Sequence, residues 1–446
     1  MKINLTTLGC AKNLVDSEVL LGGLKGEGVE FVDDPLHAET IILNTCGFID
    51  GAKEESVDAI LQAVELKRRG TCRRVFVTGC LSQRYRDELM QEIPEVDGFY
   101  GNRDMTEVLR GLVRQLDLRR ELLGERELMT PRHYAYLKIS EGCENPCTFC
   151  AIPAIRGPFS SKPLEMLVDE AQMLADRGVR ELLLIAQDST IYGRDRYGQG
   201  QLPALLRRLI DLKSFRWIRL LYTYPAHFGD DVIEIIADAP DVLSYVDVPI
   251  QHISDRILKK MARKVTRKEI ERLIEKLRQA NPDIALRSTF IVGFPGETEQ
   301  DHRELADFLL EVQFERLGLF AYSREEGTPA YHFPDQVPDH LKQERLAELN
   351  DLQAEISLQK NKQLLGTARE VVVDEFDGER RIFKGRTSWD CPEIDNAVLL
   401  QADDDLAAGA FVTVEVTGCS EYELKGIIRN DPMPRAGRVS SHYCEV

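Results

Sequence analysis

The string Cys143-Glu-Asn-Pro-Cys147-Thr-Phe-Cys150 carries the clearest chemistry in this sequence. Its CxxxCxxC spacing offers three thiolates at close range, and groups of thiolates favour iron–sulfur clusters or zinc. A closed zinc site takes four ligands and a ferredoxin-type cluster has a cysteine on every iron, so three cysteines argue against both. The string therefore predicts a four-iron cluster with one iron open to a substrate. The alternative is three loop cysteines without a chemical role.

A second set of three cysteines, Cys10, Cys46 and Cys80, is spread along the N-terminal part of the chain. Each follows a short apolar segment, in the turns Leu8-Gly9-Cys10, Asn44-Thr45-Cys46-Gly47 and Thr78-Gly79-Cys80. The carboxyl ends of parallel strands share one edge of a sheet, where ligands bind in open α/β folds. Helix N-termini at that edge favour thiolate over thiol. We expect the three cysteines to converge on a second cluster with an open iron. The alternative, small buried side chains, is the interpretation we prefer for Cys72.

The elements that position the second set form a predicted α/β domain over residues 1–125. Apolar segments alternate with amphipathic segments, which is typical of a parallel sheet covered by helices on both faces. We predict strands at 2–8, 40–43 and 74–78, and helices at 14–25, 49–69 and 83–93.

The CxxxCxxC string lies in a second predicted domain, residues 126–366. Six strands alternate with helices there, two fewer than in a closed (β/α)₈ barrel, so a partial (βα)₆ barrel with a lateral opening large enough for a protein substrate is expected. The string follows the first strand, at the carboxyl end where barrel enzymes carry their chemistry. The predicted strands cover 134–139, 181–186, 217–222, 244–248, 285–292 and 316–322.

Polar residues and glycines lie at the ends of the predicted barrel strands. Gln187, Asp188 and Ser189 end the second strand, and Arg287 and Ser288 lie on the fifth, all as plausible polar lining. Solvated loop residues are an equally good interpretation of Asp188 and Ser189. After the fifth strand, Gly293 and Gly296 permit close backbone approach, and Thr298 is placed to cap the next helix.

A third predicted unit, residues 367–434, is a small antiparallel β-barrel of the oligonucleotide-binding kind, with a tail at 435–446. A charged helix at 338–365, read as amphipathic packing or a linker, precedes it. Residues 370–446 contain eight Lys or Arg against sixteen Asp or Glu, a net charge of −8, with an acidic run at 403–405. Such a surface attracts a basic protein and repels bare phosphate. Cys391, Cys419 and Cys444 have no metal-binding spacing.

Length and charge narrow the possible classes of protein. A chain of 446 residues exceeds one ordinary core, so two or three domains are expected. The formal charge of −18 opposes a general nucleic-acid or anionic-membrane surface. The start of the chain lacks a signal peptide pattern and no apolar run reaches the length of a membrane span, so we expect a cytoplasmic protein without a membrane partner.

The order of these units and three local strings resemble the methylthiotransferase family of radical S-adenosylmethionine enzymes, over essentially the whole chain. The strings are Thr6-Thr-Leu-Gly-Cys10-Ala-Lys-Asn13, Ala135-Tyr-Leu-Lys-Ile-Ser-Glu-Gly-Cys143 and Ile152-Pro-Ala-Ile-Arg-Gly157. They look like the branch that methylthiolates an aspartate of ribosomal protein uS12. The tRNA-modifying branch typically reads R-G-C-N-N-x-C before the third cysteine and has a more basic terminal module. The end of the chain, from about Pro434, does not share the resemblance.

The resemblance implies two 4Fe-4S clusters, S-adenosylmethionine and a sulfide source. Cys143, Cys147 and Cys150 would hold the catalytic cluster, whose open iron binds S-adenosylmethionine and whose reduction yields a 5′-deoxyadenosyl radical. Cys10, Cys46 and Cys80 would hold an auxiliary cluster that carries the sulfide, methylated by a second S-adenosylmethionine. The implied cofactor contacts are Phe149, beside the adenine, and Gln187, Ser288, Gly293 and Gly296. The third unit would be a TRAM-like barrel.

The implied partners are uS12, free or in the small ribosomal subunit, and a reducing electron donor of the flavodoxin or ferredoxin type. Two alternatives remain open on the residues. One is methylthiolation of a tRNA adenosine, which a basic terminal module would have favoured. The other is a non-catalytic iron–sulfur or RNA-binding adaptor, against which two open clusters argue, because a structural site gains nothing from a missing ligand.

Overall fold

Three units follow one another in the computed structural model, which describes residues 1–25, 29–102, 104, 107–108, 110, 126–401 and 406–429. The predicted boundary at 366 falls between the last helix and the first strand of the third unit. The predicted tail and the acidic run at 403–405 lie outside the described residues, as does Cys444.

The N-terminal unit is a parallel sheet with the strand order β2-β1-β3-β4-β5. Its strands are β1 (Lys2–Thr7), β2 (Glu30–Phe31), β3 (Thr40–Thr45), β4 (Arg74–Gly79) and β5 (Gly98–Phe99). Its helices are α1 (Ala11–Leu24), α2 (Asp50–Arg68) and α3 (Cys80–Glu92). The three predicted strands are present, and α1 and α3 begin three residues earlier than predicted, immediately at the cysteine turns. The burial pattern of β3 shows why it is central, since all six of its residues are buried.

The central unit is an open sheet of six parallel strands in the order β13-β12-β11-β10-β9-β6. Its strands, with the short β7–β8 pair, are β6 (Tyr134–Lys138), β7 (Ser140–Glu141), β8 (Ser160–Ser161), β9 (Glu181–Ile185), β10 (Trp217–Leu220), β11 (Val242–Asp247), β12 (Ala285–Val292) and β13 (Arg316–Ala321). The helices are α4 (Ile152–Arg156), α5 (Leu164–Asp176), α6 (Arg194–Tyr197), α7 (Leu202–Asp211), α8 (Asp230–Asp238), α9 (Asp255–Lys260), α10 (Arg267–Ala280), α11 (Glu299–Val312) and α12 (Asp339–Gln363). The predicted partial barrel is therefore present.

Local sequence fixes the helices around this sheet. Thr298 starts α11 with the predicted cap, its side chain accepting from the Asp301 N–H while Asp301 binds back to the Thr298 backbone. Thr266 and Glu269 form the same capping box at α10. The apolar faces of these helices meet the outward residues of the strands in one large core. The long α12 packs on β13 and β12, so it is a packing helix rather than a free linker.

The third unit is a closed five-stranded barrel in the order β14-β15-β16-β18-β17. Its strands are β14 (Ala368–Asp377), β15 (Ile382–Thr387), β16 (Ala397–Gln401), β17 (Phe411–Cys419) and β18 (Glu423–Arg429). The prediction of an antiparallel barrel needs one correction, because β16 and β18 pair in parallel. Strand directions cannot alternate around a closed ring with an odd number of strands, so one parallel pair is unavoidable.

The third unit closes the amino end of the partial barrel, an arrangement the sequence did not predict. Its loop between β15 and β16 enters the barrel, where Asp395 accepts from the Tyr245 hydroxyl (2.7 Å) and from Arg287 Nε (3.2 Å). Arg386 pairs with Glu181 (2.8 Å) at the start of β9. Among the described residues, no helix is both long and apolar enough to cross a membrane.

Candidate active site

The cysteine loop of the partial barrel, residues 142–151, follows β7. Gly142 has φ of 75°, and an added Cβ would lie 2.0 Å from a backbone oxygen across the loop, so glycine is required there. The Cys143 N–H donates to the Gly157 carbonyl and the Thr148 N–H to the Met261 carbonyl, both at 3.0 Å. These bonds tie the loop to α4 and to the end of α9, so the thiols have fixed positions.

Two sulfur atoms of this loop have N–H donors, and Cys143 is buried whereas Cys147 and Cys150 are partly exposed. The backbone N–H of Asn145 lies 3.4 Å from Cys143 Sγ, and Arg263 Nη1 lies 3.7 Å from Cys147 Sγ. Burial raises the pKa of Cys143 and raises that of Cys150 to about 12. The thiolate forms therefore need positive charge close by, which the iron ions of a cluster would provide.

The three turns of the second cysteine set lie close together, and the binding of a cluster by their cysteines stays a prediction. A Cβ added to Gly9 would lie 2.7 Å from Cys46 Cβ, which shows how closely the first two turns approach. Cys80 Sγ lies 3.6 Å from Asn13 Oδ1, one turn along α1 from Cys10. Cys10 is the N-cap of α1 and is exposed, whereas Cys46 and Cys80 are buried.

The expected effect of helix ends on these thiols is outweighed by burial. Cys80 is the first residue of α3, yet burial raises its pKa to about 12. Burial also raises the pKa of Cys46. The helix-end field acts within one turn and cannot offset removal of a charged sulfur from water.

Arg156 connects the two cysteine sets. It ends α4, just after the barrel loop, and its Nη2 lies 3.6 Å from Cys80 Sγ and hydrogen-bonds Asn13 Oδ1. Its Nη1 reaches Asp16 on α1 (2.8 Å) and Glu141 on β7 (3.1 Å). This buried guanidinium holds α1 against the barrel loop, so the positions of the two sets are coupled.

Polar side chains of both units, called the chamber below, meet where α1 faces the carboxyl ends of the barrel strands. Lys12 Nζ lies 2.8 Å from the ring centroid of Tyr222, directly after β10. Asp247, at the end of β11, accepts from the Tyr222 N–H (2.9 Å) and from Arg287 Nη1 (3.0 Å). Burial lowers the pKa of Lys12 to about 8. The chamber therefore contains charged groups from both units.

The donor sets fit iron–sulfur clusters better than single metal ions. No three His, Cys, Asp or Glu side chains in the described part of the chain converge tightly enough to hold one ion. Each set instead offers three thiols, and an N–H or guanidinium donor lies within 3.7 Å of the sulfurs of Cys143, Cys147 and Cys80. Such donors are typical of cluster sites, where they tune the charge on the sulfurs.

Two of the predicted cofactor contacts lie beside the cysteine loop. The Phe149 ring packs edge-to-face on Phe294 at 6.5 Å between centroids, next to the turn after β12. Gln187 donates to Glu141 Oε1 (3.0 Å), and its own Oε1 is buried without a hydrogen-bond partner among the described residues. An unpaired buried amide oxygen can accept from a ligand. Contact of either residue with S-adenosylmethionine stays a prediction.

The other predicted cofactor contacts have protein partners. The Ser288 hydroxyl is fully buried and donates to the Val248 carbonyl (2.9 Å). The Gly293 N–H donates to Glu297 (2.8 Å), and the Gly296 N–H donates to the Asp335 carbonyl (2.7 Å). Both glycines have positive φ, 72° and 81°. Their first role is the shape of the turn, and contact with a cofactor stays a prediction.

Asp188 and Ser189 are not solvated loop residues. Both are buried, and Asp188 accepts from Asn145 Nδ2 (2.8 Å) and from His227 Nδ1 (3.2 Å). Burial alone would raise the pKa of Asp188, but these hydrogen bonds outweigh it and lower the value. Asp188 thus anchors the cysteine loop to the end of β9. Cys72 is a buried core residue, as predicted.

Sequence reasoning missed the residues that join the two sets. Lys12, Asn13 and Arg156 lie inside the strings that carry the family resemblance, but the sequence indicated no role for these residues. Glu141 also lies in such a string, whereas Arg263 and Tyr222 had no local signal, because their neighbours come from distant parts of the chain. The signal that could have pointed to Arg156 was a charged residue in an otherwise apolar stretch soon after the cysteine string.

Three family models match the chain, one for each unit. The model described as "Uncharacterized protein family UPF0004" matches residues 2–101, "Radical SAM superfamily" matches 137–309, and "TRAM domain" matches 365–428. The solved structure of the radical S-adenosylmethionine methyltransferase TsrM from Kitasatospora setae superposes with a TM-score of 0.53 at 16% identity, covering 83% of this chain and 80% of that one. The fold and the cysteine loop define a radical S-adenosylmethionine enzyme.

Relatives of known name match nearly the whole chain. The ribosomal protein uS12 methylthiotransferase RimO of Flavobacterium psychrophilum is 48% identical over 426 residues, 95% of this chain and 97% of that protein. The protein of the same name from Chlorobium luteolum is 48% identical over 429 residues, 96% and 97% of the two chains. The chain belongs to the RimO family of radical S-adenosylmethionine methylthiotransferases.

Proposed function

We propose that this enzyme attaches a methylthio group to the β-carbon of an aspartate in ribosomal protein uS12. The observation that carries the proposal is the coupling of two three-cysteine sets through Arg156, which joins Cys80 to the loop of Cys143. Two coupled sets suit a reaction that both breaks a C–H bond and adds sulfur. The named relatives, uS12 methylthiotransferases over almost their whole length, support the choice of substrate.

The proposed cofactors are two 4Fe-4S clusters, one held by Cys143, Cys147 and Cys150 and the other by Cys10, Cys46 and Cys80. Once reduced and loaded with S-adenosylmethionine, the first cluster would supply radical chemistry for a C–H bond that no side-chain base can deprotonate. A sulfide source and a second S-adenosylmethionine, as methyl donor, complete the set.

The protein's own part is to bind, orient and exclude water. Asp188 and Arg263 hold the barrel loop, and Phe149 and Gln187 border the cofactor position. The third unit closes the amino end of the barrel, so a reactive species formed at the carboxyl end has no path to water on that side. The lateral opening of the six-stranded sheet leaves access for a loop of a folded substrate.

The proposed partners are uS12, free or in the small ribosomal subunit, and an electron donor of the flavodoxin or ferredoxin type, in the cytoplasm. The net charge of −18 favours a basic protein over a phosphate backbone. The tRNA adenosine alternative is not favoured, because the relatives at 45–48% identity are uS12 enzymes.

Mass spectrometry of uS12 tests the proposal. In cells that lack this chain, uS12 should lose the methylthio mass from one aspartate, and the parent gene should restore it. Cys72→Ala, in the core and outside both sets, is the matched control that should also restore it, whereas the Cys10/Cys46/Cys80 triple alanine variant should not. An unchanged uS12 mass, with a lost methylthio group on tRNA, would refute the assignment.

A further inference from the structure

Lys12 is a buried cation without a dedicated counter-ion. The residue is only 7% exposed, and its ammonium lies on the face of Tyr222. No carboxylate forms an ion pair with it in the part of the chain that the structure describes, and a tyrosine face is a weaker partner than a carboxylate. A buried charge without a partner costs free energy, so its presence at this position calls for another reason.

The carboxylates nearest to Lys12 already have other partners. Asp247 is engaged by Arg287 and by the Tyr222 N–H. Glu141 is engaged by Lys138 (2.8 Å) and by Arg156. Neither carboxylate forms an ion pair with Lys12 among the described residues. Lys138, Arg156 and Arg287 are thus each paired with a carboxylate, whereas Lys12 has no carboxylate at ion-pair distance within the described ranges of the chain.

We propose that Lys12 binds the side-chain carboxylate of the aspartate to be modified and thereby selects aspartate over its neutral analogues. The proposal rests on the proposed function. The reacting β-carbon of aspartate is directly bonded to its carboxylate, so a cation that fixes the carboxylate also fixes that carbon. A lysine ammonium is a compact point charge, which can hold one carboxylate oxygen from the side and leave the β-hydrogens open.

The position of Lys12 suits this task, because it lies close to Cys10 in the chain and faces the carboxyl edge of the barrel. It is two residues after Cys10 on α1, and it faces Tyr222 at the carboxyl end of a barrel strand. A carboxylate bound here would lie where sulfur from one set and hydrogen abstraction from the other can reach its neighbour. An adenine has no negative charge, so the same cation gives a tRNA substrate no comparable gain. The competing explanation is that Lys12 only balances charge at Cys10.

A double-mutant binding experiment separates these explanations. Two substrates are compared: purified uS12, and uS12 with its modified aspartate replaced by asparagine. The affinity of each is measured for four cluster-loaded enzymes, which are the parent, Lys12→Met, Lys12→Arg and Lys67→Met. Lys67 pairs with Asp97 away from the chamber, so its variant is the charge-matched control. The parent should bind the aspartate form at least about tenfold more tightly, since close charge pairs at interfaces couple strongly. Lys12→Met should reduce that ratio to about one by weakening only the aspartate form.

Lys12→Arg should keep part of the preference, and Lys67→Met should keep all of it. Equal binding of the two uS12 forms by the parent would overturn the proposal, as would an unchanged ratio in Lys12→Met. Lys12→Met and Lys12→Gln are the two neutral variants. If both lose half of the iron, Lys12 instead balances the charge at the Cys10 sulfur, and the proposal is overturned. If the parent modifies uS12 yet shows no aspartate preference, only the Lys12 proposal fails. If it does not modify uS12 at all, the proposed function fails.

Discussion

At the residue scale, the cysteines divide by environment rather than by spacing alone. The members of both sets have N–H, amide or guanidinium groups beside their sulfurs or lie in turns that meet one another. Cys72 packs among apolar side chains, and Cys391 is buried near the floor of the barrel. The chemistry of a thiol thus follows its neighbours, which is why a count of ten cysteines predicts little by itself.

Iron analysis tests the division of the cysteines. Anaerobically loaded parent should contain about eight irons, and the Cys143/Cys147/Cys150 triple alanine variant about half of that, as expected for two separate four-iron sites. Replacement of Cys72 with alanine should change nothing. Complete loss of iron from a triple variant that remains folded would mean one shared site.

At the element scale, the loop between β15 and β16 is the least expected part of the molecule. It enters the partial barrel at the amino ends of the strands, where Asp395 accepts hydrogen bonds from Tyr245 and Arg287. Arg287 in turn binds Asp247, in the chamber. The third unit therefore supports the site through two consecutive ion pairs, Asp395 to Arg287 and Arg287 to Asp247. This support is separate from any contact that its surface makes with a partner.

Asp395→Ala should destabilise the junction between the third unit and the barrel. It leaves the buried Tyr245 hydroxyl and Arg287 Nε without their acceptor, which should lower the free energy of unfolding by about 3 kcal/mol. Both tryptophans of the chain lie at the junction: Trp217 packs on Phe411, and Trp389 donates to the Asp283 carbonyl. The urea concentration at the midpoint of unfolding, followed by tryptophan emission, should therefore fall. The exposed Glu379→Ala on the same unit should leave the transition in place, and a similar shift in that control would contradict the argument.

The same junction should weaken in acid. Burial alone would raise the pKa of Asp374, but the hydrogen bond from His133 and the charge of Arg386 outweigh it and hold the value below its usual range. A lowered carboxyl pKa stabilises the folded state above the unfolded pKa, about 3.9, and this contribution is lost as the pH falls through the folded value. Tryptophan emission should report earlier unfolding below about pH 4. Asp374→Asn should be less stable at neutral pH and less sensitive to pH in that window.

At the scale of the whole molecule, two of the attachments that hold the N-terminal unit on the barrel lie beside its cysteine turns. One is the network of Arg156. The other is Glu325, after β13, which pairs with Lys53 on α2 (3.0 Å) and with Arg84 on α3 (2.9 Å). Arg84 also donates to the Gly47 carbonyl (2.6 Å), next to Cys46. The relative position of the cysteine sets thus depends on contacts on both sides of the chamber.

Glu325→Gln should weaken the second attachment by about 2 kcal/mol, since it removes the charge that two cations share. Hydrogen exchange should then speed up at the start of α2 and α3, while the Arg156 side of the interface stays protected. Methylthio transfer to uS12 should fall. The exposed neighbour offers a matched control, because Glu326→Gln changes the same charge without breaking the pair. Equal exchange in both variants would show that Glu325 does not hold the units together.

The sequence by itself determined the order of the units, the six barrel strands, the small β-barrel of the third unit and the closeness of the turns that carry Cys10, Cys46 and Cys80. These features depend on local periodicity and on the rule that parallel strands end at one edge, so they need no knowledge of distant contacts. Only the tertiary structure decided that Asp188 is a buried anchor, that Arg156 couples the two cysteine sets, that Lys12 faces Tyr222 and that the third unit closes the barrel. Each of these depends on side chains far apart in the chain, and the burial of a charged residue is decided by the partner that the fold brings to it.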